Sequence, residues 1–378
     1  MSEHDAAEDA LERLEWNDAR RGHPSRALQL TRRGALTGAA AGLAATMLDA
    51  CGSSAALASA KSPKTQTANG SAAALYGISG GYRFSFVSHA LNNIFFTPTI
   101  NGIQDACALL GCSYDWVGSN NSSVAAVAQA INGAVSAAVD GIATTMISPA
   151  LAAPVAAAMD AGIPVLTYNA DDPTSQRLAY VGQDLLASGR AMGAQIRRMV
   201  PPGSRIVVFI CTPGLANVAP RLAGIEQALH GSGIAVLSQA SGASVNQEQT
   251  TIDAFVGAHL DNYAGYFGVD AGSTMAIALA IENNGLRGQV HGGGFDLTPD
   301  TERLLADGTI QFTIDQQPYL QGFLPTLQLF LYRASQRLSG PADVDTGIRI
   351  LDRHTIRPYA TTSSRYAGTA TNVGVQKA

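Results

Sequence analysis

From residue 82 onward the chain alternates short apolar runs with helix-length stretches, and it does so twice over. Arg83–Ser88 reads as a strand, Pro98–Leu110 as a helix stopped by Gly111, and Ser113–Val117 as a strand. An Ala/Val-rich helix over Val124–Val139 follows, then a strand over Gly141–Ile147, a helix over Leu151–Asp160 and a strand over Ile163–Tyr168. The rhythm restarts with a strand at Arg205–Cys211, a helix at Ala219–His230 and a strand at Ile234–Ser238. A helix over 249–259, a strand at Gly265–Val269, a helix at Thr274–Asn283, strands at Val290–Phe295 and Gln311–Ile314, and a final helix at Leu320–Leu338 complete it. Strands parted by helices bury their apolar faces as βαβ crossovers, which makes the sheets parallel with helices on both sides. The fold class is therefore α/β, with two doubly wound parallel-sheet lobes joined by a hinge.

Composition removes several functions. At 378 residues, 46% hydrophobic and 14% charged, the chain is long enough for two packed cores and too apolar to be disordered. A net charge of −5 leaves no electrostatic footprint for nucleic acid. The lysines are Lys61, Lys64 and Lys377, so the body has neither a P-loop lysine nor a Schiff-base lysine. The cysteines, Cys51, Cys107, Cys112 and Cys211, lack metal-ligand spacing, and no metal or cofactor is expected. Cys107 and Cys112 are near enough in sequence to pair if a helix end brings them together.

The first seventy-odd residues read as an address. Thr31-Arg32-Arg33-Gly34-Ala35-Leu36 leads into a small-residue apolar run to Met47, the pattern of a twin-arginine export signal. The run from Ala35 to Ala50 is shorter than the ~20 residues that span a bilayer. It ends in Leu48-Asp49-Ala50-Cys51-Gly52, which resembles a bacterial lipobox with Asp49 in place of a small neutral residue and Cys51 as the lipidation site. The Ser/Ala/Thr-rich segment after it reads as a flexible tether.

In open parallel sheets, ligands bind beyond the carboxyl ends of the strands. Those ends carry polar and aromatic residues here: Leu91-Asn92-Asn93-Ile94-Phe95-Phe96, Tyr168-Asn169-Ala170-Asp171-Asp172, Asn217 and Arg221, Val269-Asp270, Phe295-Asp296, and Asp315-Gln316-Gln317. Amides both donate and accept hydrogen bonds, and an aromatic face covers the C–H side of a sugar ring. Taken singly, each Asn or Asp is as readily a helix cap or a turn residue, Phe95-Phe96 a core pair and Arg221 a surface ion pair. Their recurrence at strand end after strand end is the signal.

These loops resemble those of the ribose-binding-protein family, the type I periplasmic sugar receptors, over residues 82–350. The match is carried by Asn92-Asn93 with Phe95-Phe96, Asp140-Gly141-Ile142, Ala161-Gly162-Ile163-Pro164-Val165, Arg221-Leu222-Ala223-Gly224, Gly293-Gly294-Phe295-Asp296 and Thr313-Ile314-Asp315-Gln316-Gln317-Pro318. The resemblance implies a type I periplasmic binding fold in which Asn93 and Phe96 reach the ligand from the first lobe, with Asn169 where the family often has an aspartate, and Arg221, Asp270, Asp296 and Gln316 from the second. Phe95, Asp171 and Asn217 are added as further cleft residues. Ala170 stands where ribose binders use an arginine, and Asn169 and Asp270 also differ, which argues against ribose itself.

The expected organisation is a signal at 1–50, a tether at 51–75, a first lobe of 76–183 plus 317–345, a second lobe of 184–316 plus 346–360, and a tail at 361–378. The expected function is capture of a monosaccharide or polyol by hinge closure, outside the cytoplasm, for the membrane subunits of an ABC importer. The protein is read as a lipid-anchored monomer with no nucleic-acid partner. A sensor or chemotaxis partner of the same fold is the alternative. An enzyme is disfavoured, because G-x-S-x-G and H-E-x-x-H are absent. A sugar-responsive repressor would need a helix-turn-helix where the export signal stands.

Overall fold

The computed structural model describes residues 76–77, 81–372 and 374–377; the signal read over 1–50, its Cys51 and the tether at 51–75 lie outside them. In the first strand, β1 (Arg83–Ser88), Phe84 and Phe86 enter one apolar cluster and Val87 the opposite one. Alternate residues of a strand face opposite sides, so a strand covered on both faces needs apolar residues in both registers. The chain continues through α1 (Thr97–Leu110), β2 (Ser113–Gly118), α2 (Val124–Ser136), β3 (Gly141–Thr144), α3 (Ala152–Asp160), β4 (Val165–Tyr168) and β5 (Ala179–Gly182). It then crosses to a second sheet with α4 (Leu185–Met199), β6 (Arg205–Ile210), α5 (Ala219–Leu229), β7 (Ala235–Ala240), α6 (Val245–Ala258), β8 (Gly265–Gly268), α7 (Ala271–Asn283), β9 (His291–Phe295), α8 (Pro299–Ala306) and β10 (Phe312–Asp315). α9 (Pro318–Ala334) and β11 (Val344–Asp345) return to the first sheet, and β12 (Arg349–Leu351) and α10 (Arg357–Ala360) to the second. A small antiparallel hairpin, β13 (Thr362–Ser364) with β14 (Val375–Lys377), follows.

The first sheet has the order β11-β5-β4-β3-β1-β2 and is parallel throughout. The second, β12-β10-β9-β8-β6-β7, is parallel except for its edge strand β12. In each sheet the chain reverses its direction of growth beside the first strand, β1 or β6. The loops there diverge and leave a crevice at the carboxyl ends. One apolar cluster packs on each face of each sheet. Val207 and Phe209 enter one side of the second sheet while Ile206, Val208 and Ile210 enter the other. Each such side chain contributes about 1.5–3 kcal/mol by leaving water.

Helix ends follow from local chemistry. Ser123 Oγ accepts the Ala126 N–H at the start of α2, and Asp184 Oδ1 the Ala187 N–H at the start of α4. Gly111, at φ 71°, ends α1, with its N–H and that of Cys112 both on the Cys107 carbonyl. Cys107 and Cys112 are both free thiols.

Several elements are absent from the sequence reading, three of them for identifiable reasons. α4 carries Gly189 and Gly193, which read as breakers. In the fold they let α4 lie against α5, where a Cβ on Gly189 would strike the Arg221 carbonyl. β5 and β11 are too short to register as apolar runs, and they pair with each other across a long stretch of chain. The strand expected to reach Ile147 ends at Thr144, and the last helix ends at Ala334 rather than Leu338. In the tail, Arg365 docks on α1 through Asp105 at 2.9 Å and through the Asn101 side chain, which donates to its carbonyl.

Candidate ligand-binding cleft

The carboxyl ends of the two sheets face each other across a cavity of about 290 Å³. The lobes are closed on it. Ala216 N–H donates to the Ile147 carbonyl at 3.0 Å, and Ala271 joins the apolar cluster that holds Phe95 and Phe96. Of the ten residues singled out in the sequence, nine line this cavity: Asn93, Phe95, Phe96, Asn169, Asn217, Arg221, Asp270, Asp296 and Gln316.

The first-lobe wall begins where β1 ends. Asn93 Oδ1 accepts the Phe95 N–H at 3.0 Å and caps a single 3₁₀ turn, Ile94–Phe96. The amide thus also holds the loop and turns Phe95 and Phe96 inward. Phe96 is nearly fully buried, edge-on to Phe95 and His89 and tilted against Trp116. Both phenylalanines belong to the first-lobe core and still line the cleft. Asn169 follows β4 in the left-handed region, at φ 63°. Its Nδ2 donates to Gln316 Oε1 at 3.3 Å, and Gln316 Nε2 donates to Asp296 Oδ1 at 2.7 Å. An amide at the crossing between lobes thereby joins one residue of each wall.

The second-lobe wall is charged. Arg221 opens α5 and is 3% exposed, with one guanidinium NH2 donating to the Val269 carbonyl at 3.0 Å and the other to Gln183 Oε1 at 3.1 Å. Its guanidinium carbon lies 4.0 Å above the Phe295 ring, so the fork is held flat and aimed. Arg221 Nε and Asn217 Oδ1 are buried without a hydrogen-bond partner. Asp270 caps α7 by accepting the Ser273 N–H at 2.9 Å, and its other oxygen accepts the Cys211 N–H at 3.1 Å. Asp296 sits at φ 72°, and burial raises its carboxyl to about 7 against the opposing pull of Arg221 and Gln316.

Asp171 is a correction: it is not in the cleft. Arg177 clamps its carboxylate with Nε at 2.9 Å and the outer nitrogen at 2.7 Å, and the Thr167 hydroxyl donates to it at 2.6 Å. Arg177 also bonds Asp343, so Asp171 belongs to an ion-paired network that ties the β4–β5 loop to the chain before β11.

Among the cleft residues that escaped the sequence reading, His89 and Glu248 are titratable. His89 follows β1 directly, so the strand-end rule that found Asn93 had the same reason to find it. It is buried and its imidazole is lowered to about 4 by that burial, hence neutral. Glu248 lies in the first turn of α6, away from any strand end, and nothing in the local pattern points to it. Among the described residues no cluster of His, Cys, Asp or Glu has metal-binding geometry, and no helix is long and apolar enough to cross a membrane.

Residues 84–332 match the periplasmic binding protein domain family. The xylose/arabinose-binding protein XylF of Sulfolobus acidocaldarius is 42% identical over 306 residues, covering 77% of this chain and 75% of its own. An ABC transporter solute-binding protein of Burkholderia graminis, solved with D-arabinose, superposes with a TM-score of 0.68 at 26% identity, covering 73% of this chain and 97% of its own. A carbohydrate transporter of Acidothermus cellulolyticus, solved with myo-inositol, has a TM-score of 0.66 at 25% identity, covering 77% of this chain and 100% of its own.

Proposed function

Because the chain belongs to the periplasmic binding protein domain family, we propose that it captures a neutral monosaccharide or polyol by closing its lobes and presents it to the membrane subunits of an ABC importer. The observation that carries this is the orphan pair in the cleft, a buried donor at Arg221 Nε and a buried acceptor at Asn217 Oδ1. An unsatisfied buried polar group costs about 1–3 kcal/mol. A hydroxyl both accepts and donates, so hydroxyls relieve both groups without bringing in charge.

The rest of the cleft suits the same ligand. Asp270 and Asp296 accept from hydroxyls in bonds of about 1.5–3 kcal/mol each, and the Phe96 ring covers a C–H face. At about 290 Å³ the cavity lies at the small end of ligand pockets, which run from roughly 300 to 1,000 Å³. Closure follows from geometry, since the ligand bridges two walls that are joined by crossings at 183–184, 316–317 and 346–348. The named relatives are binding proteins, and no catalytic step is assigned to this cleft.

The family operates outside the cytoplasm. The proposal adds that Cys51 is lipidated and that the tether holds a monomeric receptor at the membrane surface. Radiolabelled palmitate incorporated by the expressed protein and lost in Cys51→Ser tests the anchor. The binding reading is tested by melting the purified full-length protein with D-xylose, D- and L-arabinose, D-ribose, D-glucose and myo-inositol. A ligand at one hundred times its Kd stabilises by about 2.7 kcal/mol and raises Tm by several degrees. No rise with any of them overturns the proposal.

A further inference from the structure

Two carboxyl groups on the second-lobe wall share one hydroxyl. Ser273 Oγ lies 3.0 Å from Asp270 Oδ2 and 3.1 Å from Glu248 Oε2, with Ser241 Oγ at 2.9 Å. Both carboxyl groups line the cavity. Their supply of donors is unequal. Asp270 also accepts two backbone N–H groups, from Cys211 at 3.1 Å and from Ser273 at 2.9 Å. Glu248, 3% exposed, draws its hydrogen bond from the Ser273 hydroxyl, whose single hydrogen Asp270 contests.

Two ionised carboxylates sharing a buried site repel, and the pair keeps a proton. Asp270 has two backbone N–H donors at the positive end of α7 and Glu248 has none, so the proton sits on Glu248. Burial and the neighbouring Asp270 push the Glu248 carboxyl up to about 10. The other titratable groups facing the pair are Cys211, whose thiol burial raises, Arg221 and Asp296. Neutral His89 lines the same cavity from the first lobe. The seat is built for this carboxyl. A Cβ at Gly272, the second residue of α7, would collide with both Glu248 oxygens, so only a residue without a side chain leaves room for them.

We propose that Glu248 is a specificity-determining residue which presents its carboxyl to the ligand as a protonated O–H donor, side by side with the acceptor Asp270. This rests on the sugar or polyol reading of the cleft and sharpens it. The wall then offers one donor and one acceptor to a ligand oxygen and its adjacent hydroxyl. A sugar acid is rejected, because its carboxylate meets Asp270 and Asp296.

The test is isothermal titration of D-xylose and D-arabinose into the full-length protein between pH 6.5 and pH 10.5, for wild type, Glu248→Gln and Glu248→Ala. Wild-type affinity is expected to hold from about pH 8, above the titration of Asp296, to about pH 9 and to fall towards tenfold per pH unit above about 10, as Glu248 loses its proton. Glu248→Gln keeps a neutral N–H donor of similar size. It is expected to bind about threefold more weakly at neutral pH and to lack the alkaline loss. Glu248→Ala is expected to lose at least about tenfold at neutral pH. Glutamine preserves the packing, so that variant carries the test even where alanine unfolds the lobe. Parallel pH curves for wild type and Glu248→Gln, or an alanine variant with wild-type affinity, overturn this inference alone. Tighter binding of D-glucosamine than of D-glucose by wild type also overturns it, because an ammonium would then be displacing the Glu248 proton. No binding by any of the three proteins at any pH overturns the sugar reading with it.

Discussion

His89, at the end of β1, and Asn217, in the loop before α5, meet across the closed cleft with 3.4 Å between the ring Nε2 and the amide Nδ2. The amide donates and the neutral ring accepts, while the other ring nitrogen faces the Thr145 hydroxyl at 3.1 Å. The contact links the two lobes without charge. His89 titrates near 6.5 when unfolded and near 4 in the fold. The unfolded chain therefore takes up a proton first, and stability falls as pH drops from about 6.5 towards about 4, by up to roughly 3 kcal/mol. Urea unfolding should show wild type losing more stability than His89→Gln between pH 7 and pH 4.5; equal losses would mean that the imidazole is already solvated.

Arg221→Ala should raise the Kd for the captured sugar about tenfold to a hundredfold, since it removes a charged donor aimed at the ligand. Arg221→Lys should recover little, because an ammonium cannot span the Val269 carbonyl and Gln183 while offering a further N–H. Titration calorimetry on both variants reads this directly.

Asp296 is a place where binding opposes stability. Its carboxyl titrates at 3.8 when unfolded and near 7 in the fold. The folded state holds the proton more tightly, so the stabilisation present at low pH is lost as pH rises through about 7, up to roughly 4 kcal/mol. Asp296→Asn should make the ligand-free protein more resistant to urea at pH 8 than wild type, and should bind sugar more weakly. A variant less stable than wild type at pH 8 would contradict this account.

Two glycines should respond in opposite directions. Gly189→Ala drives a methyl into the Arg221 carbonyl and should cost about 1–3 kcal/mol while weakening sugar binding, because the turn that aims Arg221 must shift. Gly133→Ala, inside α2 with open space around it, should stabilise by about 0.5–1 kcal/mol and leave affinity alone. Denaturation midpoints and Kd values measured together separate the two effects.

Asp171→Ala should leave sugar affinity unchanged and lower stability by about 1–3 kcal/mol, because Arg177 loses a mostly buried partner. A clear rise in Kd would return Asp171 to the cleft.

How far the site could be read in advance depended on where each residue stands relative to a strand. Asn93, Asn169, Asp270 and Asp296 sit at or just beyond strand ends, so the period of the chain located them before any contact was known, whereas Arg221, in the first turn of α5, was carried by the Arg221-Leu222-Ala223-Gly224 resemblance. Asp171 obeyed the same rule and misled it. The left-handed turn at Asn169 sends the following residues away from the cavity, and a positive φ at a non-glycine leaves no trace in composition. Glu248 was invisible because α6 is exposed on one side and polar in composition. Only the packing of its first turn onto Gly272 brings it to the wall.

The sequence by itself determined the lobed α/β architecture and the set of strand ends that bear polar groups, because both follow from the period of apolar residues, which is local. Tertiary structure alone decided which of those groups are satisfied by the protein and which are not. Asp171 found Arg177, Asp270 found two backbone N–H groups, and Arg221 Nε and Asn217 Oδ1 found none. Hydrogen-bond satisfaction is a property of neighbours brought together over long stretches of chain, and the strength of each charge depends on the water those neighbours exclude.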